Sequence, residues 1–154
     1  MPLSPGDAAP AFDLPTDAGR VSLTGLKGKK VVLYFYPKDD TSGCTAEAQG
    51  FTAAAGDFAN AGVTVVGVSK DSVERHGKFR SKYDLKVVLG SAKDDDVVER
   101  YGAWVEKSLY GRKYMGIDRS TYLIDKTGVI RRVWRKVKVG GHVAEVLKAA
   151  QALG

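Results

Sequence analysis

Cys44 is the only cysteine among 154 residues. It stands in Pro37-Lys38-Asp39-Asp40-Thr41-Ser42-Gly43-Cys44-Thr45-Ala46-Glu47, where the chain leaves an apolar run and enters a helical pattern. A thiol in the first turn of a helix meets unpaired backbone N–H groups and the positive end of the helix dipole. Both favour the thiolate, which is the nucleophilic form of cysteine. A lone cysteine also commonly serves as a small core hydrophobe. Here the glycine and threonine beside it, and the polar loop before it, favour reactive chemistry.

The elements around this thiol follow from pattern. Val31–Tyr36 is β-branched and aromatic throughout, so it reads as a buried strand that Pro37 terminates. Asp39, Asp40, Thr41 and Ser42 are good N-cap types, and apolar positions at helical spacing extend a helix from about Cys44 to Phe58. Val63–Val68 reads as a second buried strand. Asp71 or Ser72 caps a helix through Tyr83, Val87–Leu89 is a short strand, and residues 94–101 form a short helix. Thr121–Ile124 and Val129–Trp134 flank a hairpin turn at Asp125-Lys126-Thr127-Gly128. Val143, Val146, Leu147, Ala150 and Leu153 mark one face of a closing helix. Strands alternating with helices, then a hairpin, suit a mixed, mostly parallel sheet with an antiparallel hairpin edge and helices on both faces.

Length and composition set bounds. A chain of 154 residues suits one domain, taken as 1–154, with a real core. No apolar run approaches the roughly 18 residues of a membrane span, and Met1-Pro2-Leu3-Ser4-Pro5 does not resemble a secretory signal. One cysteine excludes an intrachain disulfide, and a cytoplasmic location is the simplest expectation. The net charge of +6 is concentrated between Lys107 and Lys138, where ten Lys/Arg face only Asp118 and Asp125. That stretch carries no nucleic-acid motif and reads as a solvated basic surface, so no nucleic-acid partner is expected. His76 and His142 lack paired metal ligands and are assigned to helix surfaces. Gly25–Lys30 lacks the spacing of a phosphate loop and reads as a turn. No metal or cofactor is expected.

The run Pro37-x-x-x-Thr41-x-x-Cys44 resembles the signature of peroxiredoxins. The wider stretch from Tyr34 to Ala48 resembles their PrxQ branch, also called bacterioferritin comigratory protein. Gly116-Ile117-Asp118-Arg119-Ser120-Thr121 and the opening segment Gly6–Leu14 resemble the same family, so the likeness spans nearly the whole chain. It implies a thioredoxin-like fold and reduction of hydrogen peroxide and organic hydroperoxides through a sulfenic acid on Cys44. It further implies that Thr41 hydrogen-bonds thiolate and peroxide, that Arg119 keeps Cys44 ionised, and that Pro37 shields it. Glu47, one turn beyond Cys44, is implied to orient Arg119 by an ion pair. Taken singly, Thr41 could be only a helix cap, Arg119 a surface residue and Glu47 a solvated first-turn carboxylate.

The chain departs from the family at Gln49, where many PrxQ proteins carry a resolving cysteine, and residues 71–83 hold none either. A one-cysteine mechanism follows, in a monomer or homodimer: sulfenic Cys44 is reduced by an external thiol such as thioredoxin, glutaredoxin or glutathione, or pairs with Cys44 of another chain. A peroxide-sensing relay that forms a mixed disulfide with a partner is the alternative. A basic nucleic-acid-binding domain with an incidental cysteine is the third.

Overall fold

The computed structural model describes residues 3–153. Three parallel strands lie at the centre of a seven-stranded sheet: β3 (Lys30–Phe35), β4 (Val63–Ser69) and β5 (Val88–Ser91). They pair β3 with β4 and β4 with β5, and antiparallel strands extend the sheet on both sides. On one side β1 (Asp13–Thr16) joins β5 and carries the hairpin partner β2 (Gly19–Ser22). On the other, β8 (Ser120–Ile124) pairs with β3 and β9 (Ile130–Trp134) with β8. A separate hairpin, β6 (Trp104–Leu109) with β7 (Arg112–Ile117), stands outside this sheet.

Strand alternation divides β3 between two cores. Val31, Leu33 and Phe35 join Val66, Val68, Val98 and Tyr101 on one face. Val32, Tyr34 and Tyr36 join Cys44, Phe51, Phe58, Phe79 and Val146 on the other. That second face is covered by α1 (Ser42–Ala53), α2 (Ala55–Asn60), α3 (Val73–Tyr83) and α5 (His142–Ala152), while α4 (Val97–Arg100) lies over the first. All six residues of β3 are buried, as a strand sandwiched between two layers requires. The Tyr34 ring stacks on Phe51 at 4.7 Å and reaches across β4. A Cβ at Gly67 would come within 2.6 Å of it, so glycine there makes room for the ring.

The structure revises several expectations. The first helix begins at Ser42, two residues earlier than expected, and divides at Ala54 (φ −94°, ψ 7°) rather than running on to Phe58. Nothing in Ala53-Ala54-Ala55 marks that break by residue type, so packing sets it. The helix expected over 94–101 is a single turn. The two hairpins β1–β2 and β6–β7 were not anticipated. Pro15 inside a four-residue strand hides the first. The second turns through Tyr110 and Gly111, both at positive φ, and an X-Gly turn with tyrosine is a weak hairpin signal. His76 and His142 are buried, not on helix surfaces as expected: each ring finds polar partners inside the fold.

Candidate active site

The topology brings three chain segments to one end of the sheet. β3 and β8 are antiparallel neighbours, with Phe35 paired to Ser120. The end of β3, which feeds the loop to α1, therefore lies beside the start of β8, which Arg119 immediately precedes. In open α/β sheets this carboxyl end of the parallel strands is where functional groups gather.

Thr41 is the N-cap of α1, in extended conformation (φ −93°, ψ 157°), and its carbonyl accepts the first helical bond from the Thr45 N–H at 2.8 Å. Cys44 is thus the third residue of the helix, among N–H groups that have no intrahelical acceptor. Its side chain is buried, 1% exposed. The Arg119 guanidinium crosses over the start of this helix. Nη2 donates to Cys44 Sγ at 3.3 Å and Nη1 donates to Glu47 Oε1 at 2.7 Å. Gly43 permits the crossing, because a Cβ there would lie 3.1 Å from Nη2. One planar fork therefore holds the thiol and the carboxylate together, a task for which lysine has no equivalent geometry.

Burial opposes the Arg119 charge, but Glu47 and Cys44 outweigh it and hold the guanidinium above its ordinary value. Glu47 is fully buried. Burial pushes its carboxyl up from 4.5 to about 7, against the pull of Arg119. Among the described residues its Oε2 and the nearby Tyr34 hydroxyl find no hydrogen-bond partner. Burial, and after it the charges of Glu47 and Cys44, keep that hydroxyl neutral far above its usual range.

Glu47 makes stability depend on pH. The folded chain holds this proton more tightly than the unfolded chain does. Folding is therefore favoured below the unfolded value, and the advantage is lost as pH rises from about 4.5 to about 7. The full swing is about 3 kcal/mol. We expect the urea midpoint of the wild type to fall across this window relative to Glu47→Gln, which keeps an acceptor for Arg119 but does not titrate. Parallel pH profiles of the two proteins would contradict the assignment.

Of the five residues expected at the site, the structure joins Cys44, Glu47 and Arg119 by direct contact. Thr41 is exposed, and its hydroxyl donates to the Lys38 carbonyl at 2.9 Å; it accepts no bond from the helix N–H groups and makes none to Cys44. Pro37 is an exposed residue of the same loop. Sequence reasoning missed Asp39, Tyr36 and His76, which anchor that loop from below. Asp39 looked like any polar loop residue. Its only signal was its place beside a second aspartate in the loop before the helix. Among the described residues no cluster of His, Cys, Asp and Glu could hold a metal ion, and no helix is long and apolar enough to cross a membrane.

Comparison with known proteins gives the family. Residues 5–133 match the model of the AhpC/TSA family. A putative peroxiredoxin bcp of Coxiella burnetii is 57% identical over 148 residues, which is 96% of this chain and 98% of that protein. Peroxiredoxin Bcp of Bacillus subtilis is 46% identical over 149 residues, 96% of this chain and 95% of that one. Among solved structures, a cysteine-to-serine mutant of Xylella fastidiosa PrxQ matches with a TM-score of 0.92 and 34% identity, covering 99% of this chain and 98% of its own. The bacterioferritin comigratory protein of Xanthomonas campestris, whose structures address its alkyl peroxide reduction activity, matches at 0.88 and 37%, covering 99% and 97%. The fold is accordingly thioredoxin-like. The chain belongs to the AhpC/TSA family, among its PrxQ/Bcp peroxiredoxins, and is a thiol peroxidase.

Proposed function

We propose that this peroxidase works with one cysteine. The observation that carries this reading is the Arg119 fork, 3.3 Å from Cys44 Sγ in a chain with no second cysteine. The Cys44 thiolate attacks one peroxide oxygen. A sulfur–oxygen bond forms, the O–O bond breaks, and sulfur supplies two electrons. The leaving oxygen takes up a proton and departs as water or an alcohol, while Cys44 becomes a sulfenic acid. Charge grows on the departing oxygen, so donors must be aimed at it before the reaction begins. Arg119 and the N–H groups of the first turn of α1 supply them. Thr41 adds a hydroxyl once it rotates away from the Lys38 carbonyl, Pro37 limits water at the mouth, and Glu47 keeps the fork aligned.

An external thiol then attacks the sulfenic sulfur, releasing water and leaving a mixed disulfide. A second thiol attacks the reductant's sulfur in that mixed disulfide, so Cys44 leaves as a thiol and the two reductant sulfurs are joined as a disulfide. Thioredoxin, glutaredoxin and glutathione all offer this chemistry, and the chain acts as a monomer or homodimer. Hydrogen peroxide and organic hydroperoxides are both substrates, in keeping with the alkyl peroxide reduction described for the Xanthomonas relative.

Intact mass after one equivalent of peroxide tests the cycle. The expected species is the chain plus one oxygen, which glutathione converts to a chain–glutathione adduct and excess glutathione returns to the starting mass. A disulfide between two Cys44 residues as the main product would contradict the external step. An adduct that further thiol does not release would favour the sensing relay instead.

A further inference from the structure

The loop that delivers Cys44 is gripped from α3 at two places. On the inside, Asp39 is turned into the protein and is 3% exposed. Its Oδ1 accepts from the Tyr36 hydroxyl at 2.5 Å, and its Oδ2 lies 2.6 Å from His76 Nδ1. The other ring nitrogen of His76, Nε2, lies 3.0 Å from the Gly90 carbonyl on β5. The ring therefore bridges the loop carboxylate to the strand carbonyl. The Asp39 N–H donates in turn to Asp71 Oδ2 at 2.8 Å, and Asp71 is held by Ser69 and Arg75. On the outside, Asp40 adopts positive φ (61°) and accepts from Lys82 Nζ at 2.8 Å and from the Tyr83 hydroxyl at 2.5 Å.

Among the described residues none of these groups hydrogen-bonds to Cys44 or to the Arg119 side chain. They fix the first residues of a loop whose last residues are Thr41 and the start of α1. A polar contact buried this completely is weak evidence for stability, because desolvation cancels much of its attraction. A role in specifying one loop conformation accounts better for an imidazole placed between a loop carboxylate and a strand carbonyl. We infer that His76, acting through Asp39, is a positioning residue that holds the Pro37–Thr41 loop in the conformation from which Cys44 attacks peroxide. This rests on the one-cysteine reading for the attacking group, and on the hydrogen bonds alone for the loop.

Two substitutions separate the two contacts of the ring. An asparagine amide nitrogen reaches the place of histidine Nδ1, and a glutamine amide nitrogen reaches that of Nε2. His76→Asn thus keeps the donor to Asp39, and His76→Gln keeps only the donor to Gly90. We expect His76→Gln to slow oxidation of Cys44 by hydrogen peroxide by at least about tenfold, since a misplacement of about 1 Å can cost up to ~100-fold. Amide hydrogen exchange over residues 38–44 should quicken in this variant, and reduction of the sulfenic acid by dithiothreitol should not slow. His76→Asn should retain oxidation within about threefold of wild type. Oxidation rates that fall equally in both variants, in step with their melting temperatures, would overturn the inference. So would a His76→Gln protein with wild-type loop exchange. A wild-type protein that fails to oxidise at Cys44 would sink the one-cysteine reading instead, and the exchange measurement would still judge the clamp.

Discussion

Cys44→Ser is expected to abolish peroxide turnover, lowering it by more than about a thousandfold, the order seen when an enzyme loses its covalent nucleophile. Serine fits the same space beneath Arg119 and still offers an acceptor to Nη2, so the fold survives. A hydroxyl at the start of α1 does not ionise near neutral pH, and an alcohol oxygen is not oxidised by peroxide. The expectation is a protein with unchanged secondary structure, a melting temperature within a few degrees of wild type and no mass gain with peroxide. Measured side by side with the parent, it separates the chemistry of sulfur from that of the surrounding donors. Residual turnover at a tenth of the parent's rate would place the chemistry outside Cys44.

Arg119→Leu carries the second largest effect, for two reasons that can be read separately. Loss of the Nη2 contact removes the donor at Cys44 Sγ. Loss of a charged donor at a developing oxyanion costs about 100- to 1,000-fold, so the rate constant for peroxide should drop by that order. Loss of the Nη1 contact leaves Glu47 buried without its cation. Stranding one member of a buried pair costs ~3–5 kcal/mol when the remaining charge must stay. Glu47 escapes part of this cost by keeping its proton, since its carboxyl already titrates at about 7 with Arg119 present. Without Arg119 it titrates higher still. The stability deficit of Arg119→Leu should therefore be small on the acid side of 7 and grow on the alkaline side. Adding Glu47→Gln should flatten that growth without restoring the rate. Denaturant midpoints across pH, beside peroxide kinetics, resolve the two effects. A rate within threefold of wild type would remove Arg119 from the chemistry, and a deficit independent of pH would remove Glu47 from its partnership.

Arg119→Lys is informative between these extremes. An ammonium keeps the charge but cannot span Cys44 and Glu47 with one rigid plane, so it serves one partner at the expense of the other.

The parts of the fold that residue types alone determine were legible in the sequence. Val31–Tyr36 and Val63–Val68 are apolar and β-branched enough to leave few alternatives, and both are strands at the sheet's centre. Of the two expected caps, Asp71 and Ser72, it is Ser72 that caps α3, its hydroxyl accepting from the Arg75 N–H. Asp125-Lys126-Thr127-Gly128 is the expected hairpin turn, with Asp125 Oδ1 gathering the N–H groups of Thr127 and Val129. What sequence could not reveal depends on distant partners. The β6–β7 hairpin carries basic and exposed residues over most of its length, so no apolar alternation announces it. His76 has polar neighbours along the chain, and only the arrival of Asp39 and Gly90 from other elements makes its burial favourable. Within the site, Cys44 and Glu47 lie one helical turn apart and can be paired from spacing. Arg119 lies 75 residues from Cys44, and the antiparallel register of β8 against β3 is what brings it there. The orientation of Thr41 was the least legible feature. Its position as cap follows from sequence, but its hydroxyl turns back to the Lys38 carbonyl, a choice set by loop curvature.

The central claim is a complete catalytic cycle on one cysteine. It is tested most directly by following peroxide consumption by the purified chain under excess dithiothreitol, with Cys44→Ser beside it. We expect consumption of many equivalents of peroxide per chain, at a rate proportional to protein and absent from the variant. Consumption that stops at one equivalent, with Cys44 left oxidised, would contradict it.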